Sequence, residues 1–353
     1  MTTILSTIFV LGVLIFIHEL GHFVVAKRAR IRVDRFSLGF PPFIIRKRVG
    51  ETEYCIGLIP LGGFVKMRGE NPDEHATGAP DEFMSKSVGV RTAVVAAGPV
   101  MNFVLAWLIL WGILFIQGES VTDPNHAVIG VVAADSPAQA AGLQAGDIVT
   151  SINGSPVTGF AEMAGLISRE VEKPITITWL RDGQEMTATI VTASDESYNP
   201  KGEKIKIGKI GIGEQGEYRP MGFFSAGIYG FRETLVFVRM IGQFVWDLLT
   251  FKVSAKMIGG PVFIAQMAGQ QAQLGISALL FFMAFLSVNL AILNVLPIPA
   301  LDGGHLTFLL IEKIKGRPLT LNQRMVAQQI GLIFLILVIV MVTYNDIVRF
   351  ITG

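Results

Sequence analysis

Cysteine is nearly absent: Cys55 is the single one in 353 residues. A lone cysteine excludes an intramolecular disulfide framework and a cysteine-rich zinc ribbon. Charge is scarce as well. Asp, Glu, Lys and Arg make up 16% of the chain, against about 25% in an average soluble domain, so this is no ordinary cytosolic globule. The 29 basic and 28 acidic residues leave a net charge of +1, which excludes a whole-chain basic footprint for nucleic acid. Apolar residues are abundant, at 51%, and that excludes a disordered chain.

The apolar residues are concentrated. Residues 4–26, 92–116, 276–296 and 330–348 each form a run of the kind that crosses a bilayer, which takes about 20 residues. Lys27, Arg28, Arg30, Arg32 and Arg35 follow the first run. A signal peptide would carry its basic residues in front and would be shorter, so the first run reads as a span. Residues 27–91 hold twelve Lys/Arg against eight Asp/Glu, and residues 117–220 hold eight against fourteen. Lys313, Lys315, Arg317 and Arg324 follow the third run. The positive-inside rule then predicts both termini outside, residues 27–91 inside and the long middle segment outside.

Residues 121–213 differ in composition. Ile175-Thr176-Ile177-Thr178 and Thr187-Ala188-Thr189-Ile190 alternate as strands do, with Arg181-Asp182-Gly183-Gln184 as the hairpin turn between them. Asn153-Gly154 is a second turn, and residues 160–171 predict a helix. The expected architecture is a polytopic α-helical membrane protein with about four spans and an inserted α/β domain. The N-terminal membrane half covers residues 1–120 and the C-terminal half 276–353. Residues 214–275, broken at Gly259-Gly260-Pro261, predict helices lying on the outer membrane surface.

The chemistry falls inside the spans. His18-Glu19-Leu20-Gly21-His22 lies in the first. His-Glu-x-x-His on a helix sets two imidazoles one turn apart on one face, where both reach one Zn²⁺, with the glutamate placed as general base. An ionisable residue within a span costs about 3 kcal/mol or more, so three in five positions call for a compensating metal. The alternative is a set of polar residues bonding neighbouring helices inside the bundle. Catalytic zinc usually takes three protein ligands. Asp302 is the best candidate for the third, in a stretch where Pro297, Pro299, Gly303 and Gly304 break the helix. Asp302 could instead be a helix N-cap, and His305 is a rival ligand. His75 and His126 lie in polar loops.

These residues resemble the site-2 protease family of intramembrane zinc metalloproteases, of the bacterial RseP/RasP type. The resemblance covers nearly the whole chain. It is carried by His18-Glu19-Leu20-Gly21-His22, Gly98-Pro99-Val100-Met101-Asn102, Gly260-Pro261, and Asn294 through Asp302-Gly303 in that order. It implies a single Zn²⁺ held by His18, His22 and Asp302, with Glu19 as catalytic base and Asn294 near the scissile carbonyl. It implies regulated cleavage of single-span proteins, such as anti-sigma factors or remnant signal peptides, in the bacterial inner membrane. The partners would be transmembrane protein substrates and membrane lipid, without nucleic acid.

Two further parts are expected to present substrate. Residues 36–70 resemble the family's cytoplasmic, membrane-associated β-hairpin, with Gly39, Phe40, Gly62 and Gly63 as its glycine-aromatic turns. An exposed hairpin edge can take up an unwound chain as an added strand. The middle domain resembles a PDZ domain, through Asp135-Ser136-Pro137-Ala138 and Ala141-Gly142-Leu143-Gln144-Ala145-Gly146-Asp147. Its peptide groove is expected beside Ala127, Val128, Ile129, Gly130 and Val131, where it would take a peptide or trimmed substrate end. It could equally act as a size filter. The competing function for the whole chain is a non-catalytic PDZ scaffold that needs no metal.

Overall fold

The computed structural model describes residues 1–70, 77–121, 125–199, 203–214 and 216–352; His75 lies outside them. The helices are α1 (Thr2–Arg28), α2 (Val88–Gln117), α3 (Pro137–Ala140), α4 (Phe160–Arg169), α5 (Phe223–Leu249), α6 (Pro261–Leu274), α7 (Ile276–Val295), α8 (Asp302–Lys315) and α9 (Leu321–Thr352). The strands are β1 (Val33–Val49), β2 (Thr52–Met67), β3 (Glu119–Val121), β4 (Ala127–Val132), β5 (Ile148–Ile152), β6 (Ser155–Pro156), β7 (Pro174–Arg181), β8 (Gln184–Val191), β9 (Ala193–Tyr198), β10 (Lys204–Lys209), β11 (Ile212–Glu214) and β12 (Glu217–Arg219). The chain forms two compact units. One comprises Met1–Ile113, Phe224–Trp246 and Ile258–Gly353, the other Leu114–Phe223 and Asp247–Met257.

In the first unit α1, α2, α7 and α9 are long and apolar enough to cross a membrane. Val10 and Leu14 of α1 pack with Leu279, Met283 and Leu286 of α7. The last span starts well before the expected residue 330. Thr320 and Gln323 cap each other reciprocally, side chain to backbone amide at 3.1 and 3.4 Å, and such a capping box starts a helix ahead of its apolar run.

Residues 214–275 hold α5 and α6. Phe237 and Ile241 of α5 are buried against Ala106 and Leu110 of α2 and Ala284 and Val288 of α7. Asp346 of α9 is buried and accepts the amides of Gly260 and Phe263 at 3.0 and 2.9 Å, which ties down the N-terminus of α6. One side of α5 packs on the bundle, while Phe224, Ile228, Val236, Trp246 and Leu249 stay exposed.

β1 and β2 form an antiparallel pair that folds back on itself. Arg35–Leu38 pair on one side with Glu53–Ile56 and on the other with Gly63–Lys66. The outer rows are therefore residues 43–49 and 63–67. Phe36, Val65 and Met67 bury one face of this sheet with Ala26 of α1, Val94 of α2 and Leu309 of α8.

Below this sheet lies a buried ion pair. Arg91 of α2 grips Glu312 of α8 with both terminal nitrogens, at 2.5 and 3.0 Å, and Arg324 of α9 stands 3.7 Å from the same carboxylate. Removing one partner of a buried pair strands the other charge and costs about 3–5 kcal/mol. Arg91→Leu is expected to lower the detergent-solubilised protein's thermal midpoint sharply. The double variant Arg91→Leu with Glu312→Leu should recover much of the loss, as a melting series would show.

The second unit holds a sheet in the order β11-β4-β5-β7-β8, with β6 beside β5. Trp179, Ile129, Ile175, Ile177, Met163 of α4 and Ile190 form its core. Asp182 and Gly183 take positive φ values of 52° and 80°, as the two-residue hairpin turn joining β7 and β8 requires. β4 pairs with β11 along Ile129–Val132 on one side and with β5 at Ala127–Val128 on the other.

Candidate metal centre

His18 and His22 stand one turn apart near the middle of α1, their Nε2 atoms 3.3 Å from each other. Pro297 and Pro299 follow α7 and cannot donate to a continuing helix. Leu301 N–H bonds the Ile298 carbonyl at 2.9 Å, and the chain restarts as α8. That turn delivers Asp302, whose Oδ2 lies 3.1 Å from His18 Nε2 and 3.6 Å from His22 Nε2. All three ligand-type atoms fall within 4.8 Å of one another, the one such cluster among the described residues.

The alternatives separate on geometry. Asp302 sits in the first turn of α8 without making a side-chain capping bond. His305 lines the adjoining cavity but stands outside the cluster. Asp302 Oδ2 is buried with no hydrogen-bond donor. A buried anionic oxygen without a donor is costly, and a divalent cation between it and two imidazole nitrogens removes that cost. Two nitrogens and one carboxylate oxygen are a donor set that zinc takes. His22 Nδ1 lies 2.8 Å from the Val94 carbonyl, which assigns the proton to Nδ1 and leaves the Nε2 lone pair for a metal.

α2 must come very close for this to work. A Cβ on Gly98 would sit 2.3 Å from His22 Nε2 and 2.7 Å from His18 Cε1. The His18–Asp302 cavity has a volume of about 180 Å³, and Glu19 with Gly63, Phe64, Val65 and Met67 of β2 line it. Gly63 runs against the catalytic candidate, since a Cβ there would lie 3.0 Å from Glu19 Cγ.

The other expected residues scatter. Phe40 stacks on Phe64 at 6.3 Å and would clash with any Cβ on Gly62, so Gly39, Phe40 and Gly62 shape the hairpin bend and only Gly63 reaches the cavity lining. Asn294 is buried in the last turn of α7, outside that lining. Ala127, Val128, Ile129, Gly130 and Val131 belong to the second unit.

Two polar residues at the site have no role in the sequence reading, where Asn102 enters only as the end of the Gly98-Pro99-Val100-Met101-Asn102 motif. Glu70 borders the cavity, and burial pushes its carboxyl up to about 7. Asn102 of α2 is fully buried with Nδ2 3.3 Å from His18 Nδ1. Nothing in the local pattern around Glu70 signals burial, whereas a lone amide in an uncharged span does mark Asn102. Burial also pushes the His305 imidazole down.

The profile of Peptidase family M50 matches residues 6–338. The chain belongs to this family. Its M50 relatives include a Rhizobium meliloti (strain 1021) protein, 38% identical over 98% of this chain and 96% of that one. The zinc metalloprotease RasP of Bacillus licheniformis is 33% identical over 99% of both chains. The regulator of sigma-W protease RasP of Bacillus subtilis is 32% identical over 98% of both. Among solved structures, the PDZ domain of an SdrC-like protein from Listeria monocytogenes matches 27% of this chain and 93% of that one, at 25% identity and a TM-score of 0.21. As an M50 member of the site-2 protease type, the chain is a zinc metalloendopeptidase and a multi-pass bacterial membrane protein.

Proposed function

We propose that this M50 enzyme cleaves single-span membrane proteins within or near the bilayer, with His18, His22 and Asp302 as zinc ligands and Glu19 as the proton carrier. The observation that carries the reading is the cluster of two imidazoles from an apolar span and one carboxylate from a broken helix end. It lies beside the outer row of the β1–β2 sheet. The substrates would be single-span regulatory proteins, in line with the sigma-W regulator named among the relatives, or remnant signal peptides. Both termini and the α/β domain would lie outside, and the β1–β2 sheet inside, as the distribution of basic residues favours.

Zinc supplies Lewis acidity, acidifying water and polarising a peptide carbonyl. The chain's own residues do the rest. Glu19 accepts the proton of the attacking water and returns it to the departing amine. The outer row of β2 that lines the cavity would take up a substrate stretch that has left its helix as an added strand, so the scissile peptide is held extended beside Glu19. Extension is necessary because a helical peptide bond is shielded by its own hydrogen bonds. Asn294 is proposed to approach the scissile carbonyl once substrate is in place. Any peptide captured by the α/β domain, read as a PDZ domain, would add beside Ala127–Val131 of β4.

The test is cleavage of a model single-span substrate by purified protein. Cleavage should stop with a zinc chelator and return when zinc is restored in excess. Chelator-insensitive capture of the substrate without cleavage would favour the scaffold reading.

Gly98→Ala should lose zinc, because its new methyl occupies the space of the His22 ring. Gly89→Ala in the same helix meets nothing within 4 Å and should keep it. Metal analysis of the two purified variants checks the pair.

A further inference from the structure

Asn102 is absent from the chemistry above, yet it touches a proposed ligand from behind. Its side chain is wholly buried, and its Ser287-bonded backbone carbonyl (2.7 Å) holds that turn of α2 against α7. Nδ2 faces His18 Nδ1 at 3.3 Å, while Oδ1 is buried with no donor. The Nε2 atoms of His18 and His22 and Asp302 Oδ2 converge on the other side of the rings. When Nε2 gives its lone pair to a metal, the proton of a neutral imidazole sits on Nδ1. His18 then presents an N–H to an amide N–H, and neither donor is satisfied. Turning the amide half a revolution about Cβ–Cγ exchanges Oδ1 and Nδ2 with almost no change of shape. That one rotation gives His18 Nδ1–H its acceptor and the orphaned Oδ1 its donor.

We infer that Asn102 is a positioning residue for the metal centre: in the zinc-loaded enzyme its Oδ1 accepts the His18 Nδ1 proton and fixes that ring's tautomer and orientation. The inference rests on the proposed role of His18 as a ligand. The Val94 carbonyl performs the same task for His22, so each imidazole has an acceptor supplied by α2, one from backbone and one from side chain.

The test measures zinc affinity of the full-length purified protein by competition with a chromogenic chelator. N102L keeps the shape of the side chain and removes the acceptor, and it should weaken zinc binding roughly 10- to 100-fold. N102D restores an acceptor oxygen and should return affinity to the wild-type range. S287A removes the neighbouring helix–helix bond without touching His18 and should leave affinity unchanged. H18A separates the two claims: if it binds zinc like wild type, His18 is no ligand and the parent reading fails. If H18A loses zinc while N102L does not, or while N102D is as weak as N102L, the role of Asn102 is overturned. Should N102L fail to fold, ¹⁵N-histidine spectra of the zinc-loaded wild type decide alone. A His18 proton on Nδ1 supports the inference, and one on Nε2 refutes it.

Discussion

Glu19→Gln should cut the cleavage rate of a single-span substrate by about 10²- to 10⁴-fold, the usual worth of a positioned proton carrier, while leaving bound zinc at the wild-type level. Glutamine has the same shape, so the row at Gly63 still packs against it. Position 19 lies between the two histidines and stands outside the ligand cluster, which is why metal content should not follow activity. What is lost is a base for the attacking water and an acid for the leaving amine. Single-turnover cleavage of a fluorescent substrate, paired with metal analysis, separates the effects. A variant that cleaves as fast as wild type would remove Glu19 from the mechanism.

Asp302→Ala should lose both zinc and activity. The two remaining imidazoles share one helix turn and close only one side of the site. The carboxylate also supplies the negative charge that balances the cation. Zinc should raise the melting point of the wild type and leave that of the variant where it was. Calorimetry with and without zinc reads both. Zinc-dependent stabilisation that survives in Asp302→Ala would place the ion elsewhere.

How legible all this is in the chain depends on distance along it. The histidine pair is readable because both residues sit on one helix turn, and the helix is readable because its run is apolar from end to end. Asp302 can be picked out as a candidate from the prolines and glycines around it. The family resemblance chooses it over a cap or His305, and the fold shows why, since it brings α8 to α1. The neighbours of β4 are illegible for the same reason: alternation marks a strand but does not say what pairs with it, and one neighbour is β11, about 80 residues later. Residues 214–275 read as amphipathic, and amphipathicity alone cannot distinguish a membrane surface from the flank of a bundle. Glu70 carries no sequence signal, since its burial comes from α1, α2 and α8 closing around a short turn.

The central claim is that zinc chemistry here is directed at a peptide bond drawn out of a membrane helix. Mass spectrometric mapping of the cut made in a single-span substrate, with both proteins in liposomes, tests it most directly. The account predicts one scissile bond within the substrate's apolar span, absent with Glu19→Gln. Cuts confined to the polar flanks, or persisting in that variant, would contradict it.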